Sequence, residues 1–292
     1  MKRNRRTAFI LAAGLGTRLK ELTANTPKAL VSINNMPLLK VLLDELTKQG
    51  FNHIVVNIHH FGEKIVQFLS EGDLFASGEC FRFAQVSTTL RSGRNDEVKC
   101  CFGRNDGHGF VISSEVEKSH PDVLIEISDE RPLLMDTGGA ILQALPYFAQ
   151  SEAVLVHNVD VLTDVDLKGF YDDFLKSDDA AWLLTQERNS KRKLVFDETD
   201  NFLGRFNTET NDYDGKGAIP DNFKLLSFSG IHIFKPEYFK NFDVKPCYIF
   251  ELYQKIAENH RVTSKLIHPD YWFDLGTQEQ LKNAELWLSS RR

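Results

Sequence analysis

Apolar and polar positions along the first half of the chain switch repeatedly between two periods. Thr7 to Ala13 is a short continuous apolar run closed by glycines, the pattern of a parallel strand buried on both faces. Pro37 to Gln49 spaces Leu38, Leu39, Leu42, Leu43 and Leu46 at helical intervals, with Gly50 as the C-terminal stop. His53 to His59 is a second β-branched run, followed by a short helix over Glu63 to Leu69. The same order returns as a strand at Val123 to Ile127, a helix at Thr137 to Leu145 and a strand at Ala153 to His157. A helix at Leu167 to Lys176 and a strand at Ala181 to Thr185 complete it. Strand, helix, strand in succession requires crossovers, so the pattern predicts a doubly wound, Rossmann-like α/β sheet with ligands at the carboxyl ends of its strands.

Beyond Lys193 the pattern changes to hairpin-like strands (LVFD, FLGRFN and LLSFSGIHIF), then helices over Ile249 to Glu258 and Gln278 to Leu288. These predict a small β extension on a mixed sheet and a C-terminal helix, all within a single domain over residues 1–292. One stretch departs from the pattern: residues 85–121 are polar and glycine-rich, repeat GRND at Gly93 and Gly103, and keep neither period. So long a connection reads as an inserted flexible loop, with a substrate lid as the alternative.

Composition narrows the class. With 292 residues the chain can bury a core without disulfides, and 42% hydrophobic with 26% charged residues is ordinary for a globular protein. A formal charge of −6 argues against nucleic acid as a partner. Cys80, Cys100, Cys101 and Cys247 have no C-x-x-C or zinc-finger spacing and read as free thiols in a reducing, cytoplasmic setting. MKRNRR followed by TAFILAAG is too short in its apolar part for a secretion signal and reads better as a first strand. No apolar run is long enough to span a bilayer, so no membrane association is expected. Self-association is left open.

Chemistry concentrates in LAAGLGTRLKELTANTPKAL, Leu11 to Leu30. Two glycines after a strand let backbone N–H groups approach oxyanions. A Rossmann fingerprint needs a third glycine where Leu19 stands, and no P-loop G-x-x-x-x-G-K-[ST] is present. What remains is Gly14-Leu15-Gly16-Thr17-Arg18 with Pro27-Lys28 ten residues on: a glycine turn, a guanidinium fork and an ammonium, a set suited to a polyphosphate. Asp160 follows the strand AVLVHNV and Asp274 lies in YWFDLGT, both suited to a divalent ion held by one or two carboxylates and substrate phosphates. Taken singly, Asp160 could be a turn residue in a loop that also holds Asp164 and Asp166, and Asp274 an N-cap of the last helix.

The string Leu11 to Leu19, with Pro27-Lys28-Ala29-Leu30 and Met36-Pro37, resembles the signature of the sugar-1-phosphate nucleotidyltransferases, over nearly the whole chain apart from residues 85–121. The resemblance extends to the short members acting on N-acetylmuramate 1-phosphate, mannose 1-phosphate and heptose 1-phosphate, and it implies a GT-A-like fold. It implies the reaction NTP plus sugar 1-phosphate to NDP-sugar plus pyrophosphate, with UTP or GTP as nucleotide and Mg²⁺ as cofactor, in cell-envelope NDP-sugar biosynthesis. By the resemblance, Leu11, Ala12, Ala13, Gly14, Leu15, Gly16, Thr17, Arg18 and Lys28 bind nucleotide, and Arg18, Lys28 and Asp160 are the catalytic set. Asp160 and Asp274 match the metal aspartates of the family's Asn-Gly-Asp and W-x-D-x-G-T motifs.

Leu134-Met135-Asp136-Thr137-Gly138-Gly139 matches the family's T-G-G element, which implies Gly138 on the base side and Gly139 on the sugar side. Glycines at a helix start would supply backbone donors there, with Thr137 as the N-cap. Phe228-Ser229-Gly230 matches an F-S-G segment, implying Gly230 near the sugar, and Gly204-Arg205-Phe206-Asn207 stands where several members carry Glu-Lys-Pro, implying Asn207 there too. Val159 departs from the pattern, standing where the family has glycine. A choline-phosphate cytidylyltransferase-like enzyme and a non-catalytic paralogue that binds an NDP-sugar are the alternative readings.

Overall fold

The computed structural model describes residues 5–70, 81–84, 100–101 and 123–290. Its first half contains β1 (Thr7–Leu11), β2 (Ser32–Ile33), β3 (Met36–Pro37), α1 (Leu38–Lys48), β4 (His53–Ile58), α2 (Gly62–Ser70), β5 (Phe81–Ala84), β6 (Cys100–Cys101), β7 (Val123–Asp129) and α3 (Asp136–Ala144). There follow β8 (Val154–Asn158), β9 (Val161–Thr163), α4 (Leu167–Phe174), β10 (Ala181–Gln186), β11 (Arg192–Asp197), β12 (Phe202–Asn207), β13 (Tyr213–Gly215) and β14 (Phe223–Phe234). The chain closes with α5 (Ile249–Ala257), β15 (Val262–Leu266), β16 (Trp272–Asp274) and α6 (Gln278–Ser289).

β1 is flanked by β4 on one side and β8 on the other, both parallel to it, and β7 and β5 extend the parallel set beyond β4. Beyond β8 the long strand β14 runs antiparallel and carries β10 and the β11–β12–β13 ribbon. The predicted mixed, doubly wound sheet with a β extension and a C-terminal helix is what forms. The crossovers from β1 lead to β4 on one side and later to β8 on the other, so the strand order reverses between β1 and β8. A crevice opens at such a reversal, and here it lies beyond Leu11 and Asn158, which pair across the two strands.

Alternating burial explains why the central strands read as continuous apolar runs. In β1, Ala8 and Ile10 join one core while Phe9 points into the other. Ile54 and Val56 likewise oppose Val55 in β4, and Leu155 opposes Val154 and Val156 in β8. The first core is closed by the leucine face of α1 (Leu38, Leu39, Leu42, Leu43, Leu46) and by Tyr171 and Phe174 of α4. The second is closed by Ile141 and Ala144 of α3 and by Ile249, Leu252, Tyr253 and Ile256 of α5. Each large side chain buried in this way contributes about 1.5–3 kcal/mol.

Short strands escaped the sequence pattern: β5, β6, β9, β13, β15 and β16. So did the β2–β3 hairpin, whose turn is made by Asn34 and Asn35 with φ of 48° and 64°. Cys247 is a free, buried thiol as expected, whereas Cys80 lies outside the described residues. Of the segment 85–121 only Cys100–Cys101 is described, as β6 paired with β5; the rest of the insertion reading lies outside the described residues. No helix among the described residues is long and apolar enough to cross a membrane.

Candidate active site

The turn after β1 is shaped by Gly16, which has φ +65° and packs so closely that a Cβ there would lie 2.8 Å from Thr23 Cγ2. The left-handed conformation and the lack of room both select glycine. Gly14 is exposed, and a Cβ on it would meet nothing within 4 Å, so this side of the turn faces open space. Among the described residues no protein acceptor takes the N–H groups of Gly14, Leu15 or Gly16. These donors are available to a ligand.

Ala12 and Ala13 behave differently. Both are buried, and both donate their N–H groups to Asn57 Oδ1, at 2.6 and 3.1 Å. A side chain of β4 already takes these two amides, so they are not among the free donors of the turn. Asn57 in turn donates through Nδ2 to Glu130 Oε1 at 2.7 Å, and Glu130 Oε2 accepts the N–H of Met135 at 3.3 Å. One buried chain of hydrogen bonds thus ties the glycine turn to the segment leading into α3. Burial pushes the Glu130 carboxyl up to about 7, against the opposing hydrogen bonds from Asn57 and Met135. Neither residue is signalled by any motif in the sequence.

The two aspartates sit at one end of the β9–β16 pair. Asp160 follows β8, and Asp274 ends β16, which runs antiparallel to β9 with Asp274 opposite Val161. The N–H of Leu275 donates to the Asp160 carbonyl at 2.7 Å, which locks the two backbones together at this point. The Asp160 carboxylate receives the ammonium of Lys28, both side chains being mostly buried. Asp274 Oδ1 accepts the Gly276 N–H at 2.9 Å. Gly276 is covered from outside by Arg18: a Cβ there would lie 2.5 Å from Arg18 Nη2 and 2.8 Å from Asp274 Oδ1. Arg18, Lys28, Asp160 and Asp274 therefore converge on one edge of the sheet with the glycine turn.

Asp160 does lie in the turn between β8 and β9, whereas the N-cap role considered for Asp274 falls to another residue. Thr277 caps α6, accepting the Gln280 N–H at 3.2 Å, which leaves Asp274 free of that task. Asp166 caps α4, and Asp164 accepts the Tyr271 N–H at 3.3 Å. Val159 is 4% exposed and turns its side chain into the core beneath α1, so it does not fill the crevice.

The T-G-G element does not present the free backbone donors expected of it. Gly138 and Gly139 both donate their N–H groups to the Cys247 carbonyl, at 2.9 and 3.2 Å. A Cβ on Gly139 would lie 2.5 Å from the Lys245 carbonyl oxygen, and one on Gly138 2.8 Å from the Tyr248 carbonyl carbon. Close packing of segment 245–248 accounts for both glycines, and their amides are not free for base or sugar. Thr137 does not cap α3; its Oγ1 accepts the Ile249 N–H at 3.1 Å, at the start of α5.

Gly230 has φ +85° and abuts Asn158 and Val161, placing the F-S-G segment against the end of β8. Asn207 uses its side-chain oxygen within the turn after β12, accepting the Glu209 N–H at 3.0 Å. Arg205 is paired with Asp214 and lies over the rings of Tyr248 and Phe250. Neither brings a free charge to the crevice. A guanidinium that does, Arg188, was not signalled by the sequence pattern: its charge faces Asp274, and burial lowers its pKa. A separate cleft lined by Leu145, Phe148, Glu152, Lys235 and Lys240 opens at the amino end of β8, away from all of these residues.

A family model for the nucleotidyl transferases matches residues 7–290. The chain is 26% identical over 287 residues to an N-acetylmuramate alpha-1-phosphate uridylyltransferase of Neisseria meningitidis, covering 95% of this chain and 96% of that protein. It is 24% identical over 288 residues to a D-glycero-alpha-D-manno-heptose 1-phosphate guanylyltransferase of Campylobacter jejuni, covering 93% and 95%. The crystal structure of HddC from Yersinia pseudotuberculosis complexed with GMP-PN superposes with a TM-score of 0.63 at 18% identity, over 97% of this chain and all of that one. That likeness is one of fold.

Proposed function

The chain belongs to the nucleotidyl transferase family, and from that premise we propose that it joins a nucleoside triphosphate to a sugar 1-phosphate, forming an NDP-sugar and pyrophosphate. The observation that carries this reading is the convergence of the open glycine turn, Arg18, the Lys28–Asp160 pair and Asp274 at the point where the strand order reverses. UTP or GTP is the nucleotide, since the full-length relatives above are a uridylyltransferase and a guanylyltransferase, both of sugar 1-phosphates.

A phosphate oxygen of the sugar 1-phosphate attacks the α-phosphorus. The bond from that phosphorus to the α–β bridging oxygen breaks, and its electron pair leaves with pyrophosphate. The attacking oxygen is already anionic, so no side-chain base is needed, and the protein supplies position and charge. The amides of the glycine turn and the Arg18 fork hold the β and γ phosphates. Lys28, paired with Asp160 just beyond the carboxyl end of β8, neutralises charge at the α-phosphate.

Among the described residues no cluster of three or more metal-ligating side chains is present. A Mg²⁺ ion asks for less, because it takes most ligands from substrate phosphates and water, and two carboxylates on segments joined by the Leu275–Asp160 backbone hydrogen bond fit that requirement. Asp160 and Asp274 would hold it, and it would supply Lewis-acid stabilisation and screening between the two phosphate anions.

Of the two features behind the non-catalytic alternative, Val159 packs in the core, and the insertion at 85–121 lies outside the described residues but for Cys100–Cys101. Pyrophosphate release across four NTPs and a panel of sugar 1-phosphates tests the proposal. Release is expected with one pair and only when both partners are present; release from none of the pairs would overturn it.

A further inference from the structure

Trp272 stands two residues before Asp274 in β16, and its indole N–H donates to the Ser229 carbonyl at 2.9 Å. The Arg188 guanidinium lies over this ring, with Cζ 4.4 Å from the centroid. Its Nη2 donates to the Phe228 carbonyl at 3.0 Å. Its Nε is buried and meets no acceptor among the described residues. A guanidinium has five N–H donors, and among the described residues this one is given a single protein acceptor.

The mounting is rigid. The Arg188 carbonyl accepts from Lys193 Nζ and from Ser227 Oγ, and Lys193 Nζ also donates to Ser227 Oγ at 2.8 Å. Arg188 and Lys193 are close enough that the charge of Arg188 adds to burial in lowering the Lys193 pKa. Neither forms an ion pair among the described residues, and the one carboxylate facing Arg188 is Asp274. Two cations are thus held together, part-buried, with unfilled donor capacity.

Position selects the ligand. Arg18 and the glycine turn approach Asp274 from the β1 side, across Gly276. Arg188 approaches from the other side, beyond β10 and against the Phe228–Gly230 segment. Asp274 stands between the two arginines. We infer that Arg188 binds the phosphate group of the sugar 1-phosphate, with Lys193 adding positive charge behind it. This rests on the functional reading above and deepens it. A planar fork stacked on an indole is preorganised for bidentate contact with a phosphate dianion, which an ammonium on a flexible stem cannot reproduce. It supplies the anion contact that Arg205, bound to Asp214, and Asn207, used in its turn, do not.

The test uses the full-length chain with steady-state kinetics in each substrate and calorimetric binding of a non-hydrolysable NTP analogue. Arg188→Met should raise KM for the sugar 1-phosphate about 100-fold and leave the analogue Kd within about twofold. Arg188→Lys, which keeps the charge and most of the packing, should recover only part of that loss, and Lys193→Met should raise the same KM about fivefold to tenfold. An unchanged sugar 1-phosphate KM in Arg188→Met, or full recovery by lysine, overturns the inference. So does an equal loss of NTP-analogue binding, which would mark the residue as purely structural. A wild-type chain inactive on every substrate pair overturns the functional reading instead, so the two failures are distinguishable.

Discussion

Lys28 and Asp160, 132 residues apart in the chain, meet as an ion pair at the carboxyl end of the central strands. One follows the glycine turn after β1, the other follows β8, and the pair bridges the crevice where the strand order reverses. Asp160→Asn removes the carboxylate but keeps the shape. It should lower kcat by roughly a hundredfold or more while circular dichroism stays unchanged. Lys28→Met should lower kcat/KM by a comparable amount, and the double variant should be scarcely worse than either single one, because the two groups act as a unit. Losses that simply multiply in the double variant would argue against the pair.

Gly276 separates Arg18 from Asp274. A Cβ there would lie 2.5 Å from Arg18 Nη2 and 2.8 Å from Asp274 Oδ1, so Gly276→Ala must push both groups apart. Turnover should fall by roughly 10- to 100-fold, because displacements near 1 Å cost about that much where groups must converge. The thermal midpoint should move little, since Arg18 is exposed. Normal kinetics in this variant would mean that Arg18 and Asp274 need not act together.

Glu130 links stability to pH. Its carboxyl is raised from 4.5 to about 7 in the folded chain, chiefly by burial. The folded state therefore binds more protons than the unfolded state between those values, and stability falls as pH rises from about 4.5 through 7. The full effect is on the order of 3 kcal/mol. Urea midpoints at pH 5 and pH 8 should differ less in Glu130→Gln than in the wild type. The same variant keeps an acceptor for Asn57, so it should leave the NTP KM nearly unchanged. Equal pH dependence in both proteins would refute the assignment.

Val159 packs in the core beneath α1 at a position where glycine would leave a void. Val159→Gly should cost about 2–4 kcal/mol of stability, read as a lower denaturation midpoint. Turnover per folded molecule should change less than twofold, because the side chain points away from the crevice. A clear gain in kcat would show that valine hinders the substrates after all.

The sheet was legible because its central strands are buried on both faces and its helices carry wide leucine or aromatic stripes, as α1 and α4 do. Short pieces such as β9 and β16 were not, because three residues carry no period and their pairing is set by contact with each other. At the site, charge-bearing motifs marked Arg18, Lys28, Asp160 and Asp274, since phosphate chemistry limits which residues can serve. The glycines of the T-G-G element misled because glycine answers equally to ligand approach and to close packing, and segment 245–248 supplies the packing. Asn57, Glu130 and Arg188 were invisible because each is held by a partner distant in sequence: Ala12, Asn57 and Trp272.

The most direct test of a shared triphosphate site is a crystal structure with a non-hydrolysable UTP or GTP analogue and Mg²⁺. Phosphate oxygens should lie within hydrogen-bond distance of the Gly14–Thr17 amides, with the cation on Asp160 and Asp274. A triphosphate bound elsewhere, or a cation that touches neither aspartate, would contradict the account.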